Sequence, residues 1–169
     1  MLVRVIKFDN HATWHIEQPT PVASVRWQPL RCEERALTHM GAALRLMASV
    51  LTVDRMERRA LRPALILVTD GISTDDFDTA LAELLATPGG AAAIRIAIAI
   101  GQDARHEQLV KFADASIPVL HAAGAEEIPD LLMAVSIAVS RLSEVRIDRT
   151  GLVDGLNHHR YDLDDGSIV

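Results

Sequence analysis

Apolar positions along the chain fall into short runs that alternate with longer segments of mixed polarity. The continuous apolar runs at 64–69 and 94–100 have the pattern of strands buried on both faces of a parallel sheet. Residues 2–8 predict a third strand because β-branched side chains dominate the run. Between these runs, residues 41–53 carry apolar side chains three and four positions apart, which predicts an amphipathic helix.

The remaining pattern adds two shorter strands and further helices. A weak strand is predicted at 13–16, and Pro118 indicates that a strand at 117–120 lies at a sheet edge. Helices are predicted over 75–85, 104–113 and 126–142. Repeated strand–helix units of this size predict an α/β fold with a mostly parallel central sheet and helices on both faces. We expect one domain over residues 1–142, followed by a polar C-terminal arm or tail over 143–169.

Composition excludes several classes of protein. With 169 residues, 49% of them apolar and 24% charged, the chain has enough apolar side chains for a packed core. A net charge of −6 and an aromatic content of 4% argue against a nucleic-acid partner. A single cysteine excludes an internal disulfide framework. No apolar run is long enough to span a membrane, so we expect a cytoplasmic protein.

Polar residues cluster where the predicted strands end. Asp9 follows the first strand, and the segment from Asp70 to Asp75 follows the strand at 64–69. Ligands of parallel α/β sheets bind at the carboxyl ends of the strands. Thr38, at the start of the helix, and Asp70 therefore become candidates for one oxygen-lined site.

Two segments carry a family resemblance. Residues 38–44, Thr-His-Met-Gly-Ala-Ala-Leu, resemble the second-loop motif T-x-x-G-x-A-L of von Willebrand factor A (vWA) domains. Residues 67–76, which contain Thr-Asp-Gly followed by Thr-Asp-Asp, resemble the third-loop motif of the same family. The continuation into Phe77 is most similar to TerY-type bacterial proteins, which are associated with tellurium resistance. The resemblance covers residues 2–142 and implies a Rossmann-like vWA fold.

The resemblance also implies a metal-ion-dependent adhesion site that binds Mg²⁺ and a partner's carboxylate. At the matching positions, Thr38 would supply a hydroxyl ligand and Asp70 a carboxylate, either directly or through water. Thr38 is equally consistent with a helix N-cap, and Asp75 with a capping residue. The partner-binding surface implied by the resemblance comprises Asp9, Thr38, Gly41, Asp70, Gly71, Thr74 and Asp75.

The family's first motif, D-x-S-x-S, has no match in this sequence. Residues 9–13 imitate it loosely, with His11 in place of the first serine, and no helix follows them. We therefore align residues 2–8 with the family's second strand and expect the N-terminal strand and helix to be missing. Either the start codon is placed too late, which we favour, or a divergent protein replaces the strand from elsewhere. Strands 2–8 and 64–69 would then have open edges and would self-associate, swap segments or pair with each other.

The function implied by these features is protein binding. The resemblance to TerY-type proteins implies a non-catalytic adaptor in bacterial stress-response signalling, partnered by a metal-dependent protein phosphatase and a kinase-like protein. The alternative is a small metal-dependent α/β phosphohydrolase that uses Asp70. The sequence contains no G-x-x-x-x-G-K-[ST], G-x-S-x-G or D-x-D-x-T motif, which counts against this alternative.

Overall fold

A computed structural model describes residues 1–29, 36–52, 62–101 and 106–144. Its backbone divides into two compact units. The first comprises Met1–Pro63 and Gly71–Ala93, and the second comprises Ala64–Asp70 and the chain from Ile94 onward. From position 145 onward, the predicted C-terminal arm lies outside the residues that the structure describes.

The first unit opens with an antiparallel hairpin. Strand β1 (Leu2–Phe8) pairs with β2 (Ala12–Pro21), and the register shifts twice along β1. β2 is longer than the predicted 13–16 because it runs on through two prolines. A two-stranded sheet accommodates them, since each of its strands has a side where no N–H is needed for the ladder. β1 therefore pairs with β2, and the predicted alternative of direct pairing with strand 64–69 is not observed.

The described residues of the first unit also form the α-helices α1 (Met40–Ala48), α2 (Phe77–Ala86) and the short α3 (Pro88–Ala92). Their packing buries Met40 and Leu44 of α1 and Phe77, Ala80 and Leu84 of α2. α2 begins later than predicted because its N-cap is Asp76, whose Oδ1 accepts a hydrogen bond from Thr79 N at 3.3 Å. The Pro-Gly-Gly sequence after α2 forms the start of α3.

The second unit holds a parallel sheet of β3 (Ala64–Thr69), β4 (Ile94–Ile100) and β5 (Leu120–Ala122), in the order β3-β4-β5. The two predicted apolar strands are confirmed to the residue. β5 starts later than predicted, because Ile117 N donates to Asp114 O in a turn before Pro118. The described residues of this unit also form helices α4 (His106–Phe112) and α5 (Ile128–Glu144).

The core of the second unit forms where α5 meets the sheet. Val135 of α5 packs with Ile96 of β4 and with Ile117, and all three are buried. On the opposite face of β4, the Arg95 guanidinium forms an ion pair with the Asp114 carboxylate, with a distance of 2.5 Å between Nη2 and Oδ1. This pair connects the start of β4 to the turn after α4. No helix among the described residues is long and apolar enough to span a membrane.

Candidate functional site

The segment that leads into α1 is held by the turn of the β1–β2 hairpin. Asp9 O accepts a hydrogen bond from His39 N at 3.0 Å, and Asn10 Oδ1 accepts one from Leu37 N at 2.8 Å. The Asp9 carboxylate itself accepts from His11 N at 3.0 Å, which fixes the turn. The backbone on both sides of Thr38 is therefore tied to one end of the hairpin.

The loop after Asp70 holds Thr38 from a second direction. Thr74 N donates to Thr38 O at 2.9 Å, and Thr38 N donates to Thr74 Oγ1 at 3.1 Å. Gly71 lies against the same residue, since a Cβ added there would be 3.0 Å from Thr38 Oγ1. Glycine at this position keeps the space beside the Thr38 hydroxyl open.

Asp75 caps α1 from outside the helix. Its Oδ1 accepts hydrogen bonds from Gly41 N at 2.8 Å and from Ser73 Oγ at 2.7 Å, and its Oδ2 accepts from Ala42 N at 2.8 Å. These amides belong to the first turn of the helix, whose N–H groups have no partner within the helix. The sequence predicted Asp75 as a possible cap of the helix that follows it, but the structure shows it capping α1 instead. Its part in partner binding stays a prediction. We call residues 37–42 together with 71–76 the clasp.

The carboxylates of the clasp have lowered pKa values. Burial alone would raise the pKa of Asp75, but the hydrogen bonds from Ser73, Gly41 and Ala42 and the charge of His39 outweigh it and lower the pKa. The Thr79 hydroxyl and amide, helped by Arg45, lower the pKa of Asp76. Both groups are therefore held in the ionised form.

Gly41 is required by this arrangement. A Cβ at position 41 would lie 2.7 Å from Asp76 O and 2.9 Å from Asp75 Oδ2. The helix start can approach the 71–76 loop only because no side chain is present there. The groups that the helix start approaches are the Asp76 carbonyl and the Asp75 carboxylate.

The predicted site residues divide between the two units. The first unit brings together Asp9, Thr38, Gly41, Gly71, Thr74 and Asp75. Asp70 is exposed at the end of β3 and belongs to the second unit. A metal ion shared by Thr38 and Asp70 therefore stays a prediction.

Two residues of the clasp region were missed by sequence reasoning. Asn10 anchors Leu37, and Ser73 donates to Asp75. Asn10 is the central residue of the hairpin turn, where an amide side chain often bonds to backbone. The Ser-x-Asp spacing of Ser73 and Asp75 can be read from the sequence. The helix that Asp75 caps, however, begins more than thirty positions earlier in the chain, so the sequence does not indicate the contact.

The donors near Thr38 suit a hard cation in kind but fall short in number. Hydroxyl and carboxylate oxygens are the ligands that Mg²⁺ and Ca²⁺ prefer. Asp75 and Ser73, however, are already engaged with each other and with α1. No group of three or more His, Cys, Asp or Glu side chains that could hold a metal occurs within the described residues.

Comparison with known proteins identifies the family. A sequence model of the von Willebrand factor type A domain matches residues 24–132. The chain belongs to the vWA family. The match includes both motif segments, 38–44 and 67–76, and begins after the β1–β2 hairpin. The α/β vWA fold predicted from the sequence is confirmed.

Solved structures support the same fold. The chain is similar to proximal thread matrix protein 1 from the mussel byssus, with 16% identity and a TM-score of 0.52 over 77% of this chain and 33% of that one. A second structure of that mussel protein, described as having a zinc-occupied MIDAS motif, gives 17% identity and a TM-score of 0.53 over 77% of this chain and 34% of that one. The chain thus spans about a third of the length of these proteins. No curated protein matches it.

Proposed function

We propose that this vWA domain is a non-catalytic, protein-binding module whose partner docks at the clasp and at Asp70. The observation that supports this most is the double anchoring of Thr38, by the hairpin turn on one side and by Thr74 on the other. A rigid binding surface loses little conformational entropy when a partner docks. An anchored Thr38, beside a glycine that leaves its hydroxyl accessible, has this property.

In this proposal, the chain and its partner together bind one metal ion. Thr38 and Asp70 would supply oxygen donors to Mg²⁺, and a carboxylate from the partner would complete its coordination. Asp75 would act indirectly, by fixing the helix start next to Thr38. Asp9 would act in the same indirect way through its backbone carbonyl, which holds His39.

The resemblance to TerY-type proteins suggests where the module works. We place it in the cytoplasm of a bacterium, as an adaptor in stress-response or tellurium-resistance signalling. Its proposed partners are a metal-dependent protein phosphatase and a kinase-like protein. The similarity to a mussel matrix protein supports the fold alone and says nothing about this role.

The test is binding of a purified metal-dependent protein phosphatase to the immobilised chain, with and without Mg²⁺. We expect binding that Asp70→Ala and Thr38→Ala abolish while circular dichroism and the melting temperature are retained. Thr13→Ala, an exposed threonine of β2, is the matched control and should bind normally. Equal binding by all three variants would contradict the proposal. Hydrolysis of a generic phosphate ester that is lost in Asp70→Ala would instead support the phosphohydrolase.

A further inference from the structure

Two side chains from distant parts of the sequence fix the backbone that carries Thr38. Asn10 Oδ1 accepts a hydrogen bond from Leu37 N at 2.8 Å, and Thr74 Oγ1 accepts one from Thr38 N at 3.1 Å. Both amides precede α1, so no hydrogen bond of the helix holds them. The orientation of the peptide groups around Thr38 therefore depends on acceptors that other segments supply.

Asn10 acts from a turn that is itself held in place. Residues 9–11 connect the two strands of the β1–β2 hairpin. Asp9 N donates to His11 O at 3.0 Å, and His11 N donates to Asp9 Oδ1 at 3.0 Å, so two hydrogen bonds close the turn around Asn10. A side chain on a closed turn has few conformations to choose from. The amide oxygen of Asn10 is therefore a fixed acceptor for Leu37 N.

The bond between Leu37 and Asn10 affects position more than stability. Leu37 is 50% exposed, so water can bind its amide when Asn10 is replaced. Exchanging an exposed hydrogen bond for one to water changes the free energy of unfolding little. The backbone at 37–38, however, gains conformations when this bond is lost. A partner that docks on Thr38 has to remove those conformations again, which lowers its affinity.

We propose that Asn10 is a positioning residue of the binding site. Its side-chain oxygen orients the backbone at 37–38 and so sets the affinity of the partner that binds Thr38, while Asn10 itself needs no contact with that partner. This inference rests on the proposed function of the clasp. Asn10 lies before residues 24–132, which the family model matches, so a motif residue of the family is positioned by a contact from outside the matched segment.

The first test measures amide hydrogen exchange in the full chain by NMR, without a partner. We expect Asn10→Ala to accelerate exchange several-fold at Thr38 and His39 as well as at Leu37, while the amides of the β1–β2 ladder and the melting temperature stay as in the wild type. Asn10→Asp, which keeps an oxygen acceptor at this place, should restore the wild-type rates. Gln18→Ala, which removes an exposed side-chain amide from β2, is the matched control and should change nothing.

Two results of this experiment would overturn the proposal. Unchanged exchange at Thr38 and His39 in Asn10→Ala would show that Thr74 and the Asp9 carbonyl hold the segment without Asn10. Acceleration spread equally over the β1–β2 ladder would show that Asn10 only stabilises the hairpin.

The second test measures the dissociation constant of a purified metal-dependent protein phosphatase for the immobilised chain in the presence of Mg²⁺. We expect Asn10→Ala to weaken binding by roughly three- to tenfold, because one more segment has to be ordered, and Asn10→Asp to restore it. Equal affinity of Asn10→Ala and the wild type would overturn the proposal. Absence of binding by the wild type would contradict the proposed partner instead, and the exchange rates would still decide whether Asn10 positions Thr38.

Discussion

Asp75 connects two segments of the first unit that are distant in sequence, because its carboxylate accepts hydrogen bonds from the first turn of α1 and from Ser73. Removing a capping carboxylate costs about 1–2 kcal/mol of stability. We expect Asp75→Ala to lower the free energy of unfolding by about that amount, measured by urea denaturation. Asp130→Ala is the control, since Asp130 is an exposed acid in the first turn of α5. Equal losses in the two variants would show that only charge at a helix start matters.

The same carboxylate predicts the acid sensitivity of the first unit. The pKa of Asp75 is lower in the folded chain than the ~3.9 of an unfolded aspartate. Its contribution to stability is therefore complete above the unfolded pKa and is lost as the pH falls through the folded pKa. We expect wild-type stability to decline below about pH 4. Urea denaturation between neutral pH and pH 3 should show a shallower decline for Asp75→Asn, and parallel curves would assign the acid sensitivity to other groups.

We expect the substitution of Gly41 by alanine to change stability in the direction opposite to the one that helix propensity predicts. Replacing glycine by alanine within a helix normally stabilises it by about 1 kcal/mol. Here the added Cβ would lie 2.7 Å from the Asp76 carbonyl oxygen, which is backbone and cannot move away cheaply. We therefore expect Gly41→Ala to lower the melting temperature. An unchanged or higher melting temperature would mean that the 71–76 loop yields to the methyl group.

At the scale of elements, local pattern predicted β3 and β4 well and the starts of β5 and α2 poorly. β3 and β4 were predicted to the residue, because strands buried on both faces give unbroken apolar runs with sharp ends. The start of α2 was predicted too early, because Thr74 and Asp75 are themselves good capping residues. Both are engaged with the segment at α1 instead. A helix cap that comes from a loop distant in sequence leaves no signal in the residues next to the helix start.

The ion pair between β4 and the turn after α4 is a contact that patterning could not show. The Arg95 side chain also donates to Phe112 O at 3.0 Å, and the side chains of Arg95 and Asp114 are 15% and 5% exposed. Removing one partner leaves a charge buried without its counter-ion, at a cost of roughly 3 kcal/mol. We expect Asp114→Ala to destabilise the chain by about this amount in urea denaturation.

A double substitution separates the ion pair from simple packing. The variant Arg95→Met with Asp114→Leu removes both charges and keeps apolar volume, so it should lose less stability than Asp114→Ala alone. Val110→Ala, on the exposed side of α4, is the control and should have little effect. If the double variant is the least stable of the three, the pair stabilises the unit by more than charge compensation.

At the scale of the molecule, the sequence was sufficient for the family but not for the chemistry of its site. Motif order and spacing identified the vWA domain because glycine, threonine and aspartate recur at loop positions that the fold makes special. The same motif residues did not reveal that the Asp75 carboxylate caps α1, or that the Ser73 hydroxyl donates a hydrogen bond to that carboxylate. Each hydrogen bond that a carboxylate accepts from the chain reduces the number of lone pairs it can offer to a ligand. Metal binding by Thr38 and Asp70 stays a prediction of the sequence.

The small number of oxygen donors limits how tightly the chain alone can bind Mg²⁺. Mg²⁺ requires near-octahedral oxygen coordination, and two protein side chains leave most positions to water. A ligand that binds only the folded chain stabilises it by RT ln(1 + [L]/Kd), so a weakly held ion adds almost nothing. We expect millimolar Mg²⁺ to leave the melting temperature of the chain unchanged relative to EDTA, and Asp70→Ala to behave identically. Stabilisation by about 1 kcal/mol or more, lost in both Asp70→Ala and Thr38→Ala, would instead show that the chain completes a metal site without its partner.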